Sequence, residues 1–246
     1  MPCRTLVTLP VYNEVAHVAG VLDEALGHGH EVLAVDDGST DGTSELLAAR
    51  GDVHVIRHQR NRGYGTALRS AFEFASLGRY EALVTIDCDG QHEPKRIPRF
   101  IEALDVGGSH EVDVVSGSRY LKRFPGDSQP PEDRRRINRL ITLELNRRLG
   151  LNLTDAFCGF KAYRVAALAQ IELTESGYAM PLEFWVRAAE LDLRMIELPV
   201  PLIYLDENRS FGGALDDART RLSIYWRVLE KSLAPRHCPR SLLVSR

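Results

Sequence analysis

The chain is poor in cysteine and has no long apolar run. Its four cysteines among 246 residues, Cys3, Cys88, Cys158 and Cys238, lack any short paired spacing. That argues against a zinc site and a disulfide framework and suits a reducing cytoplasm. No apolar stretch approaches the roughly 20 residues that span a bilayer, and Met1 to Thr5 has no signal-peptide core. A cytoplasmic chain, soluble or peripheral on the inner face of the membrane, is the expectation. A net charge of only -3 gives no reason to expect nucleic acid. Internal repeats and long low-complexity segments are missing too. So is the third glycine of a dinucleotide loop after Gly63 and Gly65: NAD binding is discounted, and a helix start packed closely on the sheet accounts better for those glycines.

What is present points to one core. With 44% hydrophobic residues, a chain of this length forms a single α/β domain by default. Strands are expected near Leu6, Val32, Val53, Leu83 and Val114, the first four each followed by a helical pattern, which predicts a mostly parallel, doubly wound sheet. Further helices are expected over Arg134 to Leu149, Leu182 to Leu191 and Gly213 to Leu233, with short strands around Phe160 to Arg164 and Met195 to Tyr204. Lys122 to Asp133, rich in proline and charge, reads as a loop.

Asp87, Cys88, Asp89 follow the apolar run Ala82 to Ile86. Two carboxylates one residue apart at the end of a buried strand offer hard oxygen ligands where a divalent cation can bridge protein and diphosphate. Alone, such a triplet is more often a solvated turn. Pro10, Val11, Tyr12, Asn13 and Glu14 end the first strand, and Asp36 to Thr43 follow the second. In an open α/β sheet that edge is where ligands bind. Capping and turn formation compete as explanations for Asn13, Asp36 and Asp41; ligand contact is favoured for Asp37 and capping for Asp41. Cys88 reads as a small apolar spacer.

Eight runs in order, Pro10 to Glu14, Val35 to Thr43, Asn61 to Ala67, Ile86 to Pro94, Ser116 to Tyr120, Thr154 to Arg164, Gly177 to Ala188 and Glu197 to Gly212, resemble a family 2 glycosyltransferase of the GT-A fold. The nearest resemblance is to the polyprenol-phosphate sugar synthases, the group that includes dolichol-phosphate mannose synthase. The resemblance implies a GT-A domain over residues 1–213, with a nucleotide-sugar half to about residue 120 and an acceptor half from 121, followed by a basic amphipathic helix and tail over 214–246. It implies Mg2+ or Mn2+ held by Asp89, with Asp87 on the metal or on the donor's ribose and sugar, and Gln91 near the metal or phosphates. His92 is as readily a packing or capping residue as a ligand. Pro10, Tyr12, Asn13, Glu14, Asp37 and Gly38 are the implied nucleotide-sugar contacts. Asp155 either holds sugar hydroxyls or locks an arginine.

Arg119 and Arg209 are the implied phosphate-binding arginines, a planar guanidinium being able to hold two phosphate oxygens at once. Ser210 and either Arg134 or Arg135 are implied at the acceptor phosphate, below a loop that closes over the site. Where related polysaccharide synthases resemble one another in a Glu-Asp pair carrying the base, this chain has Glu183 and Phe184. A phosphate monoester is already largely an oxyanion at neutral pH, with a second pKa near ~6, so the missing aspartate favours a phosphate acceptor. Glu183 remains a reserve base. Phe157 and Phe160 read as core. The segment from Arg219, which mixes arginines with Ile224, Tyr225 and Trp226, either lies on an anionic membrane or packs on the core. The expected activity is therefore inverting transfer of a hexose from a GDP-sugar or UDP-sugar to a polyprenyl phosphate. A saccharide or other hydroxyl acceptor, sugar nucleotidyl transfer and silent sugar-nucleotide binding are the alternatives, and a homodimer is left open.

Overall fold

A computed structural model describes residues 3–204 and 213–235. Arg209 and Ser210 lie outside the described residues, as do Cys238 and the tail arginines from Arg236. Chain order is β1 (Thr5–Val11), α1 (Val18–Leu26), β2 (Glu31–Asp36), α2 (Thr43–Ala48), β3 (His54–Arg57), α3 (Tyr64–Leu77), β4 (Ala82–Thr85) and α4 (Ile97–Leu104). Then come β5 (Val114–Ser118), α5 (Glu132–Leu149), β6 (Lys161–Arg164), α6 (Val165–Leu168), α7 (Met180–Glu190), β7 (Met195–Pro199) and α8 (Ala218–Leu233).

The strands form one seven-stranded sheet in the order β3-β2-β1-β4-β6-β5-β7. All neighbours run parallel except β6, which is antiparallel to both β4 and β5. Side chains alternate between the faces of a strand, and both faces are covered. Leu6, Leu33, Leu83 and Val114 pack into one buried cluster with α3, α5 and α7. Their neighbours Val7, Val32, Val84 and Val115 pack into the other with α1 and α4. Burial on both sides is why these strands are continuous apolar runs rather than alternating ones. Helix α4 shows the complementary pattern, burying Ile97, Phe100 and Leu104 at helical spacing.

Two expectations change, and one pair of alternatives is resolved. β7 stops at Pro199 instead of continuing to Tyr204, because Pro199 and Pro201 have no N–H for a ladder. Gly63 and Gly65 pack on the backbone of residues 175–176, not on the sheet: a Cβ on Gly63 would lie 2.3 Å from the Ser176 carbonyl oxygen, and one on Gly65 2.5 Å from that of Glu175. Helix α8 buries Tyr225, Val228 and Leu229 in the same core as α5 and α7, so its apolar face is covered. Among the described residues, no helix is long and apolar enough to cross a membrane.

Candidate active site

The C-terminal ends of β1, β2, β4 and β5 share one edge of the sheet, and a cleft of about 680 Å³ opens above it. That volume suits a nucleotide-sized ligand. From the first half of the chain Pro10, Tyr12, Asn13, Glu14, Asp37, Asp87, Asp89 and Gln91 line it. Arg119 joins them, and Arg134, Asn138, Phe157, Arg221 and Tyr225 are among the residues lining it from the second.

Each wall has a local cause. Asn13 takes the left-handed conformation, φ 56°, which asparagine tolerates better than most residues. Its backbone N–H donates to Ser39 Oγ at 2.9 Å and its Oδ1 accepts from the Thr40 N–H at 2.8 Å, tying the loops after β1 and β2 together. Asp41 accepts from the backbone N–H groups of Val15 and Thr43 and closes the turn before α2. The Asp37 carboxylate accepts from the N–H groups of Arg62 and Gly63 at 3.0 and 2.7 Å and meets His58 Nδ1 at 2.6 Å. Gly38 lies outside the lining. Its φ of +78° and the Arg60 backbone, 2.4 Å from any added Cβ, make it a support for the loop.

Asp87 and Asp89 stand where the chain leaves β4. Asp87 Oδ1 accepts from the Tyr64 hydroxyl at 3.2 Å, and its backbone N–H donates to His92 Nδ1 at 3.2 Å. His92 thus braces the acidic loop from below while its ring packs 5.7 Å from that of Phe160. Gly159 makes room for Asp87: a Cβ there would fall 2.1 Å from Asp87 Oδ2. Asp89 Oδ1 accepts from the Gln91 N–H at 3.0 Å. Burial raises the Asp87 carboxyl above the ordinary range, and the charge of Asp89 adds to it against the opposing pull of His92. A divalent cation relieves both causes of that rise, so this donor pair fits one. Among the described residues, no group of three or more His, Cys, Asp or Glu side chains encloses a metal alone. The remaining positions would fall to ligand oxygens and water, the usual way Mg2+ is held beside phosphates.

Arg119, at the end of β5, is held rigidly. Asp155 receives its Nε at 2.6 Å and its Nη2 at 2.9 Å, together with the Asn138 amide at 2.8 Å. Burial alone would raise the Asp155 carboxyl, but the guanidinium and the hydrogen bonds outweigh it and hold it at about 2. Of the two roles expected for Asp155, the structure has the arginine lock. The carboxylate is fully buried behind Arg119, outside the lining, which keeps it from sugar hydroxyls. Glu197 supports it in turn, accepting from the backbone N–H groups of Thr154 and Asp155.

Among the arginines at the start of α5, Arg134 lines the cleft, its guanidinium 6.0 Å from the Tyr204 ring centroid. Arg135 is one residue round the helix, exposed and outside the lining. Glu183 is also elsewhere: buried, it accepts from Thr174 N–H at 2.8 Å, Glu175 N–H at 2.7 Å and Thr174 Oγ1 at 2.9 Å. It holds the loop ahead of α7, and Phe184 beside it is core. Phe160 is core as expected, stacked on Phe100. Phe157 is half-buried at the edge of the other core cluster, where it stacks on Tyr225 and also lines the cleft. Sequence reasoning missed Tyr64, Asn138, Tyr178, Arg221 and Tyr225 as lining residues. They come from helix faces and loops where the local pattern reads as ordinary core or surface.

Known proteins match this arrangement. The family model described as glycosyl transferase family 2 matches residues 6–172. The undecaprenyl-phosphate mannosyltransferase of Micrococcus luteus is 33% identical over 94% of this chain and 99% of its own. The polyprenol monophosphomannose synthase of Mycolicibacterium smegmatis is 33% identical over 80% of this chain and 76% of its own. Glucosyl-3-phosphoglycerate synthase from Mycobacterium tuberculosis, solved with phosphoglyceric acid, superposes with a TM-score of 0.70 at 20% identity, covering 96% of this chain and 82% of that one. The same enzyme solved with Mn2+, UDP-glucose and phosphoglyceric acid gives a TM-score of 0.65 over 94% and 79%. Family match and fold likeness agree: the chain is a GT-A glycosyltransferase and belongs to glycosyl transferase family 2.

Proposed function

We propose that the protein is an inverting, divalent-cation-dependent glycosyltransferase that moves a hexose from a GDP-sugar or UDP-sugar to a polyprenyl phosphate at a membrane surface. One observation carries the acceptor class. Among the described residues, none that lines the cleft after residue 120 is Asp or Glu, whereas Arg134 and Arg221 are both there. A hydroxyl acceptor needs a base to take its proton; a phosphate oxyanion needs positioning and charge. The two curated relatives, named for polyprenyl-phosphate mannosyl transfer, support the same class.

In this reading Tyr12, Asn13, Glu14 and Asp37 hold the nucleoside at the β1 and β2 end. Asp87, Asp89 and Gln91 would hold Mg2+ or Mn2+, whose chemistry is to neutralise the departing diphosphate. Arg119, fixed by Asp155, presents a preorganised positive charge that needs no rearrangement as the leaving group develops. Arg134 draws the acceptor phosphate in, with Arg209 and Ser210 assigned the same work. One phosphate oxygen then bonds to the anomeric carbon as the bond from that carbon to the diphosphate oxygen breaks. The bonding pair leaves with the diphosphate, no proton has to move, and the configuration inverts.

The test is incubation of purified protein with labelled GDP-mannose, UDP-glucose and related donors, Mn2+ or Mg2+, and undecaprenyl or dolichyl phosphate. A labelled lipid extractable into organic solvent is the expected product. Transfer only to soluble hydroxyl acceptors would overturn the reading.

A further inference from the structure

The Asp87 carboxylate takes its one direct side-chain hydrogen bond at Oδ1 from a neutral donor, the Tyr64 hydroxyl at 3.2 Å, while Oδ2 lies against Gly159. A phenol donates a single hydrogen bond and leaves the carboxylate its full charge. A guanidinium or ammonium in its place would pair with the charge that a metal ion needs. Tyr64 is itself fixed. It is the first residue of α3, and its ring stacks on that of Tyr178 with centroids 5.4 Å apart and planes at 16°. Both rings line the cleft. The loop that carries Tyr178 is strapped to the start of α3: the Ser176 carbonyl accepts from the Thr66 N–H at 3.2 Å and the Leu173 carbonyl accepts from Arg69 Nη1 at 3.1 Å. Gly63 and Gly65 let the two backbones meet, since a Cβ on either would collide with the carbonyl oxygens of Ser176 and Glu175. Inside the loop the Glu175 carboxylate accepts from the Gly177 N–H at 3.0 Å. Loop and helix start are thus one unit, and the Tyr64 ring is held from outside its own helix.

We propose that Tyr64 is a positioning residue of the cation site, its hydroxyl fixing the Asp87 carboxylate and Tyr178 fixing the Tyr64 ring by stacking. Tyr64 acts through Asp87 and not on the substrate. The inference rests on the reading of Asp87 as a cation ligand given above, and the experiment separates the two.

Mn2+ binding to the full chain is measured by electron paramagnetic resonance of the free ion, with UDP or GDP present, alongside the melting temperature of each variant. Tyr64→Phe keeps the ring and its stack and removes only the hydroxyl. It should weaken Mn2+ binding about tenfold, the usual cost of removing a group that orients a metal ligand, at a nearly unchanged melting temperature. Tyr178→Phe should bind Mn2+ as the wild type does, and Tyr178→Ala should weaken binding in the same direction as Tyr64→Phe. Tyr178→Ala added to Tyr64→Phe should cost little more, because both act through one hydrogen bond. In an Asp87→Ala background, Tyr64→Phe should change Mn2+ affinity by less than about twofold for the same reason. Wild-type Mn2+ affinity in Tyr64→Phe overturns the proposal, and so does a loss of equal size with and without Asp87, which would put the hydroxyl to work elsewhere. Those two comparisons decide the matter even if Tyr178→Ala fails to fold. A wild type that binds Mn2+ no better than Asp87→Ala overturns the reading of Asp87 as a cation ligand itself.

Discussion

Gly159→Ala should lower transfer about 10²-fold without unfolding the protein. The added Cβ would lie 2.1 Å from Asp87 Oδ2 and 2.5 Å from its Cγ. Carbon and oxygen do not approach closer than about 3 Å without bonding, so the carboxylate must retreat by about 1 Å. Gly159 cannot move instead, because its carbonyl accepts from Thr85 Oγ1 at 2.8 Å and the next carbonyl accepts from the Gly117 N–H at 2.7 Å. Its φ is outside the left-handed region, so alanine brings no backbone strain and the perturbation falls on Asp87. Misplacing a catalytic group by about 1 Å costs about 10²-fold, or about 2.7 kcal/mol of barrier. The assay is the initial rate at saturating donor, with the melting temperature as control. Asp87→Ala added to Gly159→Ala should then cost little beyond Asp87→Ala alone, since both act through one carboxylate. Near-wild-type turnover, or a rate loss that tracks a fall in melting temperature, would refute the reasoning.

Asp155→Asn leaves a buried guanidinium without its anion and should destabilise the fold by about 3 kcal/mol while impairing transfer, read by denaturant melts and initial rates. Because folding depresses the Asp155 carboxyl to about 2, its contribution is complete above about pH 4 and fades as pH falls toward 2. On the order of 2 kcal/mol of acid-side stability should therefore be present in the wild type and missing in the asparagine variant. Glu183→Gln removes acceptor capacity from three donors and should cost about 1 to 3 kcal/mol of stability, with turnover within a few fold. A loss of orders of magnitude at unchanged melting temperature would reinstate Glu183 as the base. Chelation with EDTA should abolish transfer, Mn2+ or Mg2+ should restore it, and Asp89→Ala should lose the metal-dependent part of the donor's thermal shift.

The parallel strands were legible because burial on both faces writes them as apolar runs such as Val32 to Val35, and their ends carry polar residues that line the cleft. The antiparallel insertion of β6 between β4 and β5 was not, since four residues of Lys161–Arg164 carry no mark of direction. The part of the cleft proposed for the donor was readable for a related reason: one turn after one strand gathers Tyr12, Asn13 and Glu14, and another gathers Asp87, Asp89 and Gln91. The part proposed for the acceptor is assembled from single residues on α5, α7 and α8 and their loops. There a tyrosine at helical spacing looks the same whether it faces core or cleft, so Tyr225 and Phe157 carried no signal. Glu183 and Asp155 illustrate the reverse. Their sequence context suggested chemistry, while their hydrogen bonds show one holding a loop and the other an arginine.

The most direct measurement is anomalous diffraction from crystals grown with Mn2+ and a non-transferable nucleotide sugar. A manganese peak bonded to Asp89 and to both phosphates of the donor, with Arg119 across the diphosphate, is the predicted result. A diphosphate bound away from the β4 edge, with Asp87 and Asp89 touching neither metal nor donor, would contradict the account.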